Sequence, residues 1–435
     1  MTRTLVIQLA RLGDLLQSLP LCRALREEGE LHLALAFDPG RRLRREADRV
    51  LVLEPWSLAR AAGHPALFLH RLRDALGEGG LAALRDRPYD RVICLNEDPA
   101  ALALARLLPG RVRMGAGAPG DPYARWLRVM GTRRAENRLL LAEAMLSLLP
   151  GRQSPAPSVG RPGEGDLVLH AGSGSVRRRL PPAFWTELAR ELAARCERRL
   201  VLTGGQAERA LCGEVERAVA RPGRLLNVCG ETDLDELQDL LESAALVVAQ
   251  DTGVLHLAAH LHRPVIGLYH GTAWAAETAP WLDGAHVLQA VTDCAPCLEE
   301  TPCVEFPCRA QLRPVRVAEL ATAILAGECP DLGGPDDCLH RVLRADRGGV
   351  RLARPGDGLR DAPDPLRERQ LAEVRGLSAP LLPSPDAPRA GRLEQARQAG
   401  VTLARWRERE WADPPRSLAE EWLWRGDTET LQSAP

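Results

Sequence analysis

Two rhythms of apolar residues alternate along this chain, short unbroken runs and longer stretches in which they return every third or fourth position. An apolar run bounded by turn residues marks a strand buried on both faces, and the spaced pattern marks an amphipathic helix. Residues 4–10 read as the first such strand and 14–28 as the helix after it, with Leu15, Leu16, Leu19, Cys22 and Leu25 near one face. Residues 31–37, 50–53 and 91–96 are further strands, the last two separated by helical sequence. Strand, helix and strand in succession build a parallel sheet covered on both sides.

Between Gly151 and Gly165 the chain turns rich in Pro, Gly and Ser, which is linker composition. The rhythm then restarts, with strands at 167–170, 200–203, 225–228, 246–250 and 264–269. Helices are expected from about 182 to 195, from about 206, over 233–242 and from near 252. The pattern predicts an α/β chain of two Rossmann-like, doubly wound parallel-sheet domains, residues 1–155 and 156–328, with an extension over 329–435. In the extension the pattern weakens into Pro, Gly, Asp and Arg, and only a helical piece at 392–411 and the pair Trp422 and Trp424 stand out. It reads as a partly ordered, partly helical tail whose tryptophans pack back on the body.

Composition narrows the class. A chain of 435 residues, 45% of them hydrophobic, can bury two cores of ordinary size. The 57 basic residues nearly cancel the 58 acidic ones, so no long-range field draws the whole protein to nucleic acid or to an anionic membrane. Every one of those basic residues is arginine, a composition bias that bears on the site below. Eleven cysteines are an odd number scattered through strand and helix patterns. The apolar start at 4–10 meets Arg11 and Asp14 too soon to serve as an export signal, and no apolar run is long enough to cross a bilayer. The expectation is a cytoplasmic protein with reduced thiols.

Three loops carry candidate chemistry. Asp251-Thr-Gly-Val-Leu-His256 follows a strand and opens a helix, so backbone N–H groups at Thr252 and Gly253 and the helix dipole suit a diphosphate. N-capping is the ordinary use of Asp251 and Thr252, and packing that of His256. The loop from His170 to Arg179 also follows a strand; its small residues, Ser173 and Gly174 among them, let backbone approach an anion, and Arg177, Arg178 and Arg179 supply positive charge. A glycine-rich turn followed by a solvated charge run is the plain alternative. Arg11-Leu-Gly13-Asp14 closes the first strand and opens the first helix. Asp14 is there either a first-turn acid or a general base, and Gly13 lets a substrate come close.

Together, the segment from Val6 to Pro20, the His170 loop, Gly204-Gly205-Gln-Ala-Glu208 and the segment from Leu246 to Ala259 resemble glycosyltransferase family 9, the family of the lipopolysaccharide heptosyltransferases. The likeness runs from residue 1 to about 328 with its motifs in family order. It implies a GT-B fold, two Rossmann-like domains facing a cleft, and an inverting, metal-independent transfer of heptose from ADP-heptose to a lipid A-linked saccharide of the lipopolysaccharide core. Such an enzyme works in the cytoplasm or peripherally on the inner face of the inner membrane. By position, Asp14 matches the catalytic base, Arg11 and Gly13 fall on the acceptor side, Glu208 matches a carboxylate on the nucleoside, and Thr232 falls at another nucleoside contact. Ser173, Gly174, Arg178, Asp251, Thr252, Gly253 and His256 fall around the diphosphate and sugar. The main departure is Arg178, where the family pattern usually has a lysine; a planar fork replaces a point charge.

Cys294, Cys297, Cys303 and Cys308 gather four thiols in a short stretch. A structural Zn or Fe site, free thiols and a labile disulfide all suit that spacing. The resemblance adds that some protein-modifying heptosyltransferase relatives hold iron through cysteines. A metal there is not expected to be catalytic, because four cysteine ligands leave no open position on it, and the resemblance implies no cofactor for the catalysis itself. Competing readings are a transferase with another nucleotide sugar or a protein acceptor, a non-catalytic sugar-nucleotide binder, and a sugar-nucleotide epimerase on the same scaffold.

Overall fold

The computed structural model describes residues 1–328 apart from 86, 119, 131–133, 135, 136, 150, 151, 153, 154, 220–222, 293 and 299–302, and beyond them 339–346, 349–353 and positions 367, 370, 371 and 374. The helical piece expected at 392–411 and the pair Trp422 and Trp424 lie outside the described residues. The chain forms two compact units. Unit 1 holds Met1–Glu136 and Ala144–Arg152, and the described positions 367, 370, 371 and 374 belong to it as well; unit 2 holds Asn137–Glu143 and the chain from Gln153 through the strands at 339–353.

Unit 1 is a parallel sheet of five strands in the order β3-β2-β1-β4-β5. These are β1 (Thr2–Gln8), β2 (Gly29–Leu35), β3 (Arg49–Val52), β4 (Tyr89–Cys94) and β5 (Gly110–Gly115). β1 is central, pairing Val6 with Leu33 of β2 and with Ile93 of β4, and Leu5, Val6 and Ile7 are fully buried. That is why its sequence is an unbroken apolar run. The strand ends two residues earlier than the apolar pattern predicts, and the helix Leu12–Glu28 starts two residues sooner, so Leu9–Arg11 are left as a tight connection. Arg367, Gln370, Leu371 and Val374 are all helical and buried, at the three- and four-residue spacing of one helix face.

Unit 2 carries β6 (Leu167–His170), β7 (Leu200–Thr203), β8 (Leu225–Asn227), β9 (Leu246–Gln250), β10 (Val265–Tyr269) and β11 (His286–Gln289). They run parallel in the order β8-β7-β6-β9-β10-β11, a doubly wound Rossmann-like sheet. The sheet runs further than the pattern predicts. β12 (Leu339–Asp346) pairs antiparallel with β11, His286 facing Val342, and β13 (Gly349–Ala353) closes a hairpin on it. Arg, His and Asp interrupt the apolar positions of these two strands, and this mixed composition hid them. The core is filled from the helix Pro182–Arg195, whose Trp185, Leu188 and Leu192 are fully buried, and from the helix Pro314–Leu325 through Val317, Leu320 and Ala321. Leu192→Ala is expected to destabilise unit 2 by about 2–5 kcal/mol through lost burial and a residual cavity, read as a lower denaturation midpoint in urea.

Candidate functional site

Open α/β sheets bind ligands beyond the carboxyl ends of the strands, where the strand order reverses. In unit 2 the reversal lies between β6 and β9. The loop leaving β6 is 171–179 and the loop leaving β9 starts at Asp251, so topology alone brings two of the candidate segments together.

Gln250 fixes how they meet. It is fully buried; its Nε2 donates to the carbonyls of Ala171 (3.1 Å) and Gly172 (2.9 Å), and its Oε1 accepts the N–H of Leu180 at 2.7 Å. A buried amide satisfied in this way specifies a single loop conformation. Within the loop, Ser175 Oγ accepts the N–H of Arg177 at 3.2 Å and starts the 3-10 turn Val176–Arg178.

That turn delivers Arg178 to Asp251. Arg178 Nη1 donates to Asp251 Oδ2 at 3.1 Å, and His256 Nε2 lies 3.6 Å from Oδ1. The Arg178, Asp251 and His256 side chains are 19%, 6% and 4% exposed, so this trio is largely out of water. Burial pushes the Asp251 carboxyl up, but His256 and Arg178 outweigh it and hold the group below its ordinary range. Arg178 Nε and the Thr252 hydroxyl are buried and have no partner among the described residues. Thr252 stands at the N-cap of the helix Gly253–His260, yet its hydroxyl makes no capping bond. A guanidinium N–H, a hydroxyl and a helix N-terminus side by side form a donor set for an anion.

Glu208 closes the 3-10 turn that follows β7. Its Oε2 accepts the N–H of Gly205 at 2.9 Å, and its Oε1 lies 4.0 Å from Arg179 Nη2. A Cβ on Gly172 would sit 2.9 Å from Glu208 Cγ, and one on Gly204 2.9 Å from Glu208 Cβ. Both glycines thus keep the room this side chain occupies. Ser173 is buried, with its carbonyl accepting Arg179 Nη2 at 3.0 Å, while Gly174 is exposed. Thr232 is half-buried on the loop leaving β8, one strand further out from Glu208.

In unit 1 the order reverses between β1 and β4, and Arg11, Gly13 and Asp14 lie in the loop and first helical turn after β1. Asn96, after β4, reaches across this switch point: with its amide oxygen turned to the backbone, it accepts the N–H groups of Leu9 (3.1 Å) and Ala10 (3.0 Å). Asp14 is partly buried, and its Oδ2 accepts the N–H of Arg11 at 3.1 Å, the bond of a residue that closes a helix start. Tyr123 is wholly buried nearby, with its hydroxyl donating to the Leu95 carbonyl at 3.0 Å. Burial first, then Cys94, Asp14, Glu97 and Asp121, push its phenol well up.

Cys294, Cys297, Cys303 and Cys308 are neighbours. Burial, then Cys294, Cys308 and Cys303, push the Cys297 thiol up to about 11. Among the described residues no three His, Cys, Asp or Glu side chains converge as metal ligands. Among the described residues no helix is long and apolar enough to cross a membrane.

Residues 160–305, which contain the loop after β6, Glu208, Thr232 and the Asp251–His256 segment, match the model of glycosyltransferase family 9 (heptosyltransferase). Over those residues, about a third of its length, the chain is similar to glycosyltransferase family 9. It is 26% identical over 129 residues to lipooligosaccharide heptosyltransferase 2 of Campylobacter jejuni, covering 29% of this chain and 40% of that protein. To lipopolysaccharide heptosyltransferase 1 of Pseudomonas aeruginosa it is 30% identical over 189 residues, covering 38% and 50%. The chain thus spans half or less of these curated relatives. In fold it resembles the ADP-heptose lipopolysaccharide heptosyltransferase II of E. coli, with a TM-score of 0.54 at 20% identity over 75% of this chain and 99% of that one. Its two units are therefore Rossmann-like units of the GT-B type.

The family motifs do not single out Gln250, His270 or Arg309. A polar residue closing an otherwise apolar strand, Leu246-Val-Val-Ala-Gln250, was the available signal for the first. His170 and His270 end β6 and follow β10, and burial pushes both down to about 4, helped at His270 by Arg309 and Arg178. A histidine held neutral in the fold stabilises above its unfolded value of about 6.5 and withdraws that stability as pH falls toward 4. Unit 2 should accordingly lose up to roughly 3 kcal/mol per histidine between pH 6.5 and 4. Melting temperature against pH checks this, and His270→Gln is expected to flatten the curve over that window.

Proposed function

We propose that this protein is an inverting glycosyltransferase that moves heptose from ADP-heptose to a saccharide of the lipopolysaccharide core. The observation that carries the reading is the donor set around Asp251, in which Arg178, the Thr252 hydroxyl and the start of the helix Gly253–His260 all present positive ends at the switch point of unit 2. The names of the curated relatives support heptose and lipopolysaccharide, and the E. coli structure it resembles is an ADP-heptose enzyme.

The chemistry follows from the charges. As the bond between the anomeric carbon and the diphosphate breaks, the sugar ring gains oxocarbenium character and the diphosphate gains negative charge. Arg178 and the Thr252 helix start stabilise the leaving group, and Glu208 takes the ribose hydroxyls. Asp251 holds Arg178 in place from behind. Asp14 accepts the proton of the attacking acceptor hydroxyl, with Arg11 and Gly13 beside the acceptor. In this reading no step requires a divalent cation, and the cysteine cluster is structural. Metal analysis of protein purified without chelator assigns Zn, Fe or free thiols there. In this reading the enzyme works in the cytoplasm and meets a lipid A-linked acceptor at the inner face of the inner membrane.

ADP release from ADP-heptose, with and without a lipid A-linked acceptor, tests the proposal: a transferase needs the acceptor, an epimerase turns over the donor without it, and a binder releases nothing. Asp14→Ala is expected to lower turnover by about 10²–10⁴ while ADP affinity stays near wild type. Turnover equal to wild type in that variant removes Asp14 from the mechanism. Arg178→Ala should weaken ADP by about 10-fold or more, the loss of one charge-assisted contact.

A further inference from the structure

The turn Val176–Arg178 is gripped from a direction the donor site does not explain. Arg309, on the short helix Pro307–Gln311, donates from Nη2 to the carbonyl of Val176 at 2.8 Å across 133 positions of sequence. Its guanidinium lies over the ring of Phe306, 3.8 Å from the centroid, and Phe306 itself takes a left-handed backbone, φ 46°. Gly271 presses on the same turn: its φ is 61°, and a Cβ there would lie 2.2 Å from the Arg177 carbonyl oxygen. Gly271 in turn accepts the N–H of Cys297 at 3.0 Å. The segment containing the four cysteines thus touches the Arg178 turn at two successive carbonyls, one through Arg309 and one through Gly271.

Arg309 is also a cation of unusual setting. It is partly buried, and among the described residues the groups acting on it are the Cys308 and Cys303 thiols, with no carboxylate between them. His270, at the end of β10, is influenced by both Arg309 and Arg178, so the two positive charges bear on one locality. A guanidinium fixed by a stack and a carbonyl bond adds positive potential where it sits and loses little freedom when a ligand arrives.

We infer that Arg309 is a positioning residue of the donor site: it clamps the Val176 carbonyl so that Arg178 stands ready for the diphosphate. The inference rests on the proposed nucleotide-sugar site and deepens it. A lysine at 309 would keep the charge but not the combination of ring stacking and fixed bond direction.

Titration calorimetry with ADP tests it on the full chain, using Arg309→Ala, Arg309→Lys, Arg178→Ala and the double Arg178→Ala/Arg309→Ala variant. Arg309→Ala is expected to bind ADP about tenfold more weakly, and Arg309→Lys about threefold more weakly, with melting temperatures close to wild type. Because Arg309 acts through the Arg178 turn, adding Arg309→Ala to Arg178→Ala should cost less than about a further threefold, the non-additivity of coupled residues. Unchanged affinity in Arg309→Ala, or losses that multiply in full in the double variant, overturns the inference while leaving the nucleotide site standing. If Arg309→Ala does not fold, Arg309→Lys decides, and affinity equal to wild type there overturns it. A wild-type protein that binds no ADP refutes the nucleotide site first and this inference with it.

Discussion

The Asp251 carboxyl is almost wholly out of water and yet held below its ordinary range, and the switch-point face of unit 2 is organised around keeping it so. Desolvation alone favours the neutral acid. Here the balance is reversed by a guanidinium at 3.1 Å and an imidazole at 3.6 Å, each itself largely buried. Removing one partner of such a cluster leaves an uncompensated charge at a cost of about 3–5 kcal/mol, so its members are locked to one another energetically. The arrangement pins Arg178 to a strand end. A cation pinned in advance of its ligand does not have to be ordered when the ligand binds.

Holding Arg178 there requires the loop from Ala171 to Leu180 to take one course, and that is the work of Gln250. One amide satisfies two carbonyls at the loop's start and one N–H at its end. The strand that presents Gln250 is the neighbour of β6 only because the sheet reverses order there. The path from sequence to site therefore passes through topology: apolar runs make parallel strands, parallel strands make a switch point, and the switch point sets a buried amide against the loop that carries the charge. Unit 1 repeats the device at its own reversal, where Asn96 holds the backbone at Leu9 and Ala10 just ahead of Arg11 and Asp14.

Much of this was readable from residue order, and the failures have a common cause. The buried strands at 167–170, 200–203 and 246–250 stand out because both faces are covered and every position is apolar. β5, β11 and the hairpin β12-β13 did not stand out. β5 lies at the edge of its sheet with Arg111, Val112 and Arg113 exposed, and β12 and β13 mix Arg, His and Asp with their apolar positions. The candidate loops were legible because glycines, arginines and a post-strand Asp-Thr-Gly make a local pattern. Gln250, His270 and Arg309 were not, because each acts through a partner distant in sequence, 70 to 133 positions away for Gln250 and Arg309, and only the fold supplies that partner.

The absence of lysine gives these contacts a further meaning. An ammonium is a strongly hydrated point charge that serves one anion well, whereas a guanidinium offers donors in fixed directions. Arg178 uses Nη1 for Asp251 while its buried Nε has no partner among the described residues, so the same side chain can be held by the protein and still offer an N–H to a ligand. Fixed directions have a cost, since a fork aimed slightly wrong loses both bonds together. A site built from arginine therefore depends more on the backbone that aims it than a site built from lysine does. The density of contacts on the Val176–Arg178 turn, from Ser175 within, Arg309 at one carbonyl and Gly271 against the next, is what that dependence requires.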